Sequence, residues 1–113
     1  MLKSLFLESN SLKNKKNFIV AIDQGTTSTR AILFNSSGDP VFKSQLEFKQ
    51  YFLNNGWVEH DPEEIWKTTK KVLLKAINRS QKLKGKILTI GITKQRETTI
   101  MWDRVTGKPV YNA

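Results

Sequence analysis

Two uninterrupted apolar runs, Phe18-Ile19-Val20-Ala21-Ile22 and Ile87-Leu88-Thr89-Ile90-Gly91-Ile92, stand on either side of one long helical pattern. Short runs of this kind, rich in β-branched residues, suit strands buried on both faces. When a helix separates two such strands, the chain crosses over and returns in the same direction, so the pair is expected to be parallel. That requirement points to the α/β class, with a helix laid on a sheet.

The first run leads through Asp23-Gln24-Gly25-Thr26-Thr27-Ser28-Thr29-Arg30 into Ala31-Ile32-Leu33-Phe34. Residues 29–34 are expected to form its hairpin partner. Asn35-Ser36-Ser37-Gly38-Asp39-Pro40 signals a turn, and residues 41–49 a third, half-exposed strand. The three strands form an antiparallel meander. A loop over 51–60 holds Asn54-Asn55-Gly56-Trp57. Asp61 then suits a helix N-cap, Pro62 the first helical position, and Glu64 a capping box. Ile65, Trp66, Val72, Leu73, Ala76 and Ile77 mark the helix's apolar face, which should run to about Lys82 with Gly85 just beyond as its terminator. Residues 87–93 supply the second buried strand, 98–102 a further one, and Val105-Thr106-Gly107-Lys108-Pro109 another turn. The element order is β-β-β-α-β. Phe42, Phe48, Trp57, Trp66 and Trp102 read as core or core-rim aromatics, Trp102 being the best placed of them to meet a ligand.

A chain of 113 residues is long enough for one small core. With no cysteine, disulfides and thiolate chemistry are excluded, and a single histidine, His60, excludes a multi-histidine zinc site. No apolar stretch approaches the ~20 residues that span a membrane, and the start is too weakly apolar for a signal peptide. A cytoplasmic location is therefore expected. Residues 1–16, rich in Lys and Asn, read as a polar leader expected to be disordered. The net charge is +9. Nucleic acid is disfavoured as a partner, because the lysines (Lys67, Lys70, Lys71, Lys75, Lys82, Lys84 and Lys86 among them) scatter around one helix and read as its solvated face. A positive field would also favour an anionic substrate such as a nucleotide.

The turn over 23–30 carries the first candidate chemistry. Gly25 lets backbone N–H groups approach an anion, Thr26, Thr27, Ser28 and Thr29 add hydroxyl donors, and Arg30 adds a fixed cationic fork. Asp23 offers an oxygen to a divalent cation or its bound water. Polar turns of this composition are common, and most hold no ligand. Neither a Walker loop nor a dinucleotide fingerprint occurs. The second constellation, Gly91-Ile92-Thr93-Lys94-Gln95-Arg96-Glu97-Thr98-Thr99, follows the second buried strand, where open α/β sheets bind ligands. Arg96 donates and Glu97 accepts, so together they suit neighbouring hydroxyls of a polyol. The plainer reading is an exposed ion pair worth ~0–1 kcal/mol. Phosphate and metal at one loop and a polyol at the other match what phosphoryl transfer to an alcohol requires.

Four stretches carry a resemblance: Phe18 through Arg30, Gly56-Trp57-Val58-Glu59-His60-Asp61-Pro62, Gly91 through Thr99, and Thr106-Gly107-Lys108-Pro109-Val110-Tyr111-Asn112-Ala113. Together they resemble the amino-terminal part of the glycerol kinases, in the FGGY family of carbohydrate kinases. The resemblance implies a partial ribonuclease-H-like domain of the actin and hexokinase type over 17–113. It implies nucleotide phosphates at Thr26, Thr27, Ser28 and Arg30, glycerol at Arg96 and Glu97, magnesium (Mg2+) near Asp23, and ATP as phosphoryl donor. Lys94 departs from the Asn usual in the family. Family members are several-fold longer, form their active site in a cleft between two domains, and use as catalytic base an Asp later in the chain. No base is assigned within this chain. Taken alone the chain is expected to be inactive as a kinase, the alternative being a non-catalytic remnant or weak nucleotide-binding module. Open sheet edges are expected to make it self-associate or accept a complementing carboxy-terminal fragment.

Overall fold

Strand β1, Lys16–Gln24, alternates as a strand with one buried face must: Phe18, Val20 and Ile22 are 2%, 0% and 3% exposed, while Ile19 between them is 44% exposed. The computed structural model describes residues 16–113, so the expected leader lies outside the described residues except for Lys16, which opens β1. Strand β2, Ser28–Asn35, buries Thr29, Ala31 and Leu33 on the same side. The two pair antiparallel, Ile22 opposite Ala31 and Asp23 opposite Arg30. Their partner β3, Pro40–Glu47, continues the meander. It starts from a turn in which Asn35 Oδ1 accepts the N–H groups of Ser37 and Asp39, both at 2.9 Å. Gly38 there adopts φ +86°, a conformation that only glycine takes without strain.

Helix α1, Pro62–Lys82, begins and ends where the pattern predicts. Asp61 caps it by accepting the Glu63 N–H at 2.9 Å. The capping box does not form. Glu64 instead turns back to accept the Lys49 N–H at 3.1 Å, tying the helix start to the end of the meander. The buried stripe is Thr68, Val72, Ala76 and Ser80, with Leu73 packed beside it. These side chains are small and four residues apart, so the helix seats close to the sheet along a narrow line. Trp66, 62% exposed, lies off that line, and the lysines Lys67, Lys70, Lys71, Lys75 and Lys82 are exposed as a solvated face. Each fully buried aliphatic, such as Val20, Leu33 or Val72, contributes roughly 1.5–3 kcal/mol.

Strand β4, Gly85–Thr93, pairs parallel with β1, completing a sheet of order β3-β2-β1-β4. The expected crossover is present, but the expected burial is not. Leu88, Ile90 and Ile92 are 54%, 43% and 71% exposed. Helix α1 contacts all four strands, but its cover does not reach these three residues of β4. An apolar run records the absence of polar groups, not what will cover them. The helix end also differs from expectation. The residue in the left-handed region is Lys84, φ +55°, and Gly85 already belongs to the strand. Glycine is required at 85 for space: a Cβ there would press on the Phe18 ring and stand 2.7 Å from the Lys16 carbonyl oxygen.

Past β4 the expected strand over 98–102 is absent. Trp102 makes a single bridge to Pro109, and the Val110 N–H donates to the Met101 carbonyl at 2.9 Å, closing a loop around Asp103. Asp103 Oδ1 accepts the Thr106 N–H at 2.6 Å, the Thr106 hydroxyl at 2.8 Å and the Val105 N–H at 3.1 Å. Of the aromatics, Phe48 is buried and Phe42 packs on the core, whereas Trp57 and Trp102 join Trp66 on the surface. No described helix is long and apolar enough to cross a membrane.

Two outcomes follow from this packing. Gly85→Ala is expected to destabilise the fold by about 1–3 kcal/mol through overpacking. Gly91→Ala, where a Cβ meets nothing within 4 Å, serves as the near-neutral control. Urea denaturation of both variants checks this, and equal midpoints would contradict it. The Thr106 backbone and hydroxyl donors, aided by the Val105 N–H, hold the Asp103 carboxyl below its ordinary value. A depressed carboxyl supports its turn above the ordinary value of about 3.9 and releases it as pH falls through the lower folded value. In an NMR titration the Thr106 amide should therefore hold its position to below that ordinary value and move only in more acid solution. Asp103→Asn should abolish the titration.

Candidate functional site at the end of the sheet

The register places two polar rows at one end of the sheet, on opposite faces. Side chains of directly paired residues share a face. Arg30 is paired with Asp23 on β1 and with Gln45 on β3, and Asp23 is paired in turn with Thr93 on β4. Gln45, Arg30, Asp23 and Thr93 thus form one row across all four strands, on the face away from α1. Its members touch. Arg30 Nε donates to Gln45 Oε1 at 3.1 Å, Arg30 Nη1 stands 3.5 Å from Asp23 Oδ2, and the Thr93 hydroxyl donates to Asp23 Oδ1 at 3.1 Å. The Asp23 and Arg30 side chains are 49% and 36% exposed, so their ion pair adds little stability and leaves both groups open to a ligand.

On the helix face, Gln24 and Thr29 form the second row. Gln24 Oε1 accepts two hydroxyls, Thr29 Oγ1 at 2.8 Å and Thr69 Oγ1 at 2.9 Å, and Thr29 Oγ1 lies 3.2 Å from Thr68 Oγ1. Thr29 is fully buried. Of the four consecutive hydroxyl residues it therefore serves the fold and cannot meet a ligand. The other three remain at the rim: Thr26 and Thr27 are exposed, and Ser28 is half-buried, with its hydroxyl accepting from Gln45 Nε2 at 3.0 Å. Between the rows the chain reverses tightly, the Gly25 N–H donating to the Ser28 carbonyl at 3.0 Å. A Cβ at Gly25 would sit only 3.2 Å from that carbonyl oxygen.

The second loop leaves the same end of the sheet, because Thr93, the last residue of β4, is paired with Asp23. Arg96 and Glu97 follow three and four residues later and are exposed. Among the described residues they form no ion pair with each other, and both charges face solvent. Glu97 adopts φ +55°, a left-handed conformation that costs a non-glycine residue on the order of 1–3 kcal/mol and persists only where its surroundings impose it. The Thr98 hydroxyl donates to the Arg96 carbonyl at 3.2 Å within this turn. Before it, Gln95 reaches inward and brings Nε2 to 3.3 Å from His60 Nδ1.

The expected residues thus fall into two neighbouring loops, with Asp23 between them. Thr93, Gln24 and Gln45 were not singled out from the sequence, since only strand register reveals which hydroxyl or amide stands beside Asp23. In the sequence His60 signals only that histidines are too few for zinc. Among the described residues no group of three or more carboxylates and histidines gathers to cage a metal. Magnesium needs no such cage, because it keeps several waters and takes one or two carboxylates together with substrate phosphates. A half-exposed Asp23 carboxylate with spare lone pairs fits that requirement. A cleft of about 550 Å³ is bordered by Asp61, Glu63, Lys108, Tyr111 and Asn112 and by none of the candidate residues of these loops.

The fold and sequence match known proteins. Residues 18–113 match the model of the N-terminal domain of the FGGY family of carbohydrate kinases. A glycerol kinase of Limosilactobacillus reuteri is 56% identical over 100 residues, 88% of this chain and 20% of that protein. One from Clavibacter michiganensis is 55% identical over 98 residues, 87% of this chain and 19% of that protein. The crystal structure of Plasmodium falciparum glycerol kinase with ADP superposes with a TM-score of 0.78 at 40% identity, over 87% of this chain and 20% of that one. A gluconate kinase from Lactobacillus acidophilus, 23% identical, shares the fold with a TM-score of 0.76. The chain spans about a fifth of the length of these curated relatives. With its four-stranded mixed sheet, crossover helix and two loops at one sheet end, the chain belongs to the FGGY family of carbohydrate kinases and has the fold of that family's ribonuclease-H-like N-terminal domain.

Proposed function

We propose that this chain supplies the phosphate-facing and polyol-facing loops of a site that transfers the γ-phosphoryl group of ATP to glycerol. The observation that carries the proposal is the Gln45–Arg30–Asp23–Thr93 row, which sets the Thr26–Ser28 hydroxyls and the Arg96–Glu97 turn at one end of one sheet. In this reading the exposed Thr26 and Thr27 hydroxyls and the backbone N–H groups around Gly25 take the phosphates. Arg30, already beside Asp23, meets the charge of the transferring group. Asp23 would hold magnesium through its carboxylate or through a water, and the metal would supply charge neutralisation to the phosphates. Arg96 donates to one glycerol hydroxyl and Glu97 accepts from the next.

Transfer joins a glycerol hydroxyl oxygen to the γ-phosphorus and breaks the bond from that phosphorus to the β,γ-bridging oxygen. The hydroxyl proton goes to a base. No residue of this chain is assigned as that base: Asp23 is assigned to the metal, and Asp61 and Asp103 are committed to a helix cap and a turn. Positioning rather than proton transfer is the part assigned to these residues. A cytoplasmic setting, where ATP is available, accompanies this reading.

The test uses the chain as it stands. A coupled assay with glycerol and Mg-ATP should show negligible turnover, while calorimetry should detect weak binding of each ligand. Arg96→Ala should weaken glycerol binding at least tenfold and leave ATP unaffected, whereas Thr26→Ala should do the reverse. Robust turnover would overturn the positioning-only assignment. Glycerol binding unchanged by Arg96→Ala would overturn the polyol assignment.

A further inference from the structure

His60 is 4% exposed, yet its imidazole is only partly satisfied. Nδ1 meets Gln95 Nε2 at 3.3 Å, while His60 Nε2 and Gln95 Oε1, both buried, find no partner among the described residues. A neutral imidazole has one donor and one acceptor, so this contact works in either sense. The Gln95 amide donates to Nδ1, or, turned over, its oxygen accepts from Nδ1–H. A buried imidazole and a half-buried amide facing each other, with few other partners, hold each other in place, because separating them costs both their bond.

His60 is fixed on its other sides. Its N–H donates to the Ala113 carbonyl at 2.7 Å, its carbonyl accepts from the Ala113 N–H at 2.8 Å, and its ring meets Phe48 edge-on with centroids 5.3 Å apart. The preceding residue, Glu59, pairs with Tyr51 and accepts from Asn112 Nδ2 at 3.0 Å. The following residue, Asp61, caps α1. Four pieces of chain therefore meet around His60, the end of the meander and the loop after β4 at its ring, residues 112–113 and the helix start at its backbone. Between Thr93 and Met101 that loop belongs to no helix or strand, and Gln95 makes a side-chain contact from it to another part of the fold. The residue after Gln95 is Arg96, and the next, Glu97, is in the left-handed region.

We infer that His60 is a positioning residue for the polyol turn: through Gln95 it holds the strained Arg96–Glu97 backbone in the one geometry where a guanidinium and a carboxylate can address adjacent hydroxyls. This rests on the polyol reading of Arg96 and Glu97. A geometry that neighbouring residues do not favour by themselves needs an outside anchor, and the buried imidazole is that anchor. It touches neither substrate nor phosphate, and its effect is confined to the second loop.

Amide hydrogen exchange by NMR on the full chain, with and without glycerol, tests this. Gln95→Leu, which keeps the bulk and removes the polar contact, should speed exchange at Arg96, Glu97 and Thr98 about tenfold and weaken glycerol binding by a similar factor. Exchange at Val20, Leu33 and Val72 and binding of ATP should not change. His60→Ala should do the same and add no further loosening on top of Gln95→Leu. His60→Asn, which restores a polar atom near the Nδ1 position, should recover most of the loss. Unchanged exchange at residues 96–98 in Gln95→Leu overturns the inference. So does a His60→Ala effect spread evenly over the core while Gln95→Leu is silent, since that is a purely structural histidine. If the wild-type chain fails to bind glycerol, the polyol reading falls, and the exchange pattern still decides whether His60 holds the turn.

Discussion

The parallel pairing of β1 with β4 is the constraint on which the rest of this structure depends. Antiparallel neighbours β2 and β3 can reach β1 through short turns, but a parallel neighbour requires a crossover, and α1 is that crossover. Once it is made, the carboxyl ends of β1 and β4 lie side by side, and Asp23 stands next to Thr93 although 70 positions separate them in the chain. Neither loop could be aligned with the other by local sequence. The hydroxyl–amide contacts of Gln24, Thr29, Thr68 and Thr69 then fasten the same sheet end to the helix from the inner face. The rim is therefore gripped from both sides, by a charged row outside and a neutral one inside.

Much of this was legible in the sequence because the relevant signals are short-range. β1 and β2 are alternations and apolar runs around a polar turn. The ends of α1 are Asp61 with Pro62 at the start and a run of polar residues at the finish. What was not legible depends on what lies across from a residue. The apolar composition of β4 looked like a doubly covered strand, yet Ile92 stands 71% exposed because coverage comes from other elements. Glu64 looked like half of a capping box and instead serves Lys49. Gly85 looked like a helix terminator, whereas Lys84 takes the left-handed conformation and Gly85 makes room for Phe18.

The candidate site divides along the same line. Gly25, Thr26, Arg30, Arg96 and Glu97 were visible from residue type and from their place after apolar runs. Thr29 was misread as part of the hydroxyl cluster at the rim: strand alternation turns it inward, where it is fully buried. Thr93, Gln45 and His60 were invisible as site residues, since a lone threonine, glutamine or histidine has no distinctive spacing. Their importance comes from register and from burial, which are properties of the assembled sheet.

The stripe of Thr68, Val72, Ala76 and Ser80 has a mechanical corollary. Side chains this short leave almost no compliant layer between helix and strands, and close-packed interiors deform little. Helix α1 consequently behaves as a stiff beam clamped along its length, and its first turn cannot rise or tilt independently of the strands beneath. Whatever rests on that first turn inherits its immobility, the imidazole one residue before Asp61 included. A larger residue anywhere along the clamp, even one far from the rim, would shift the beam as a whole and carry the anchorage of the second loop with it.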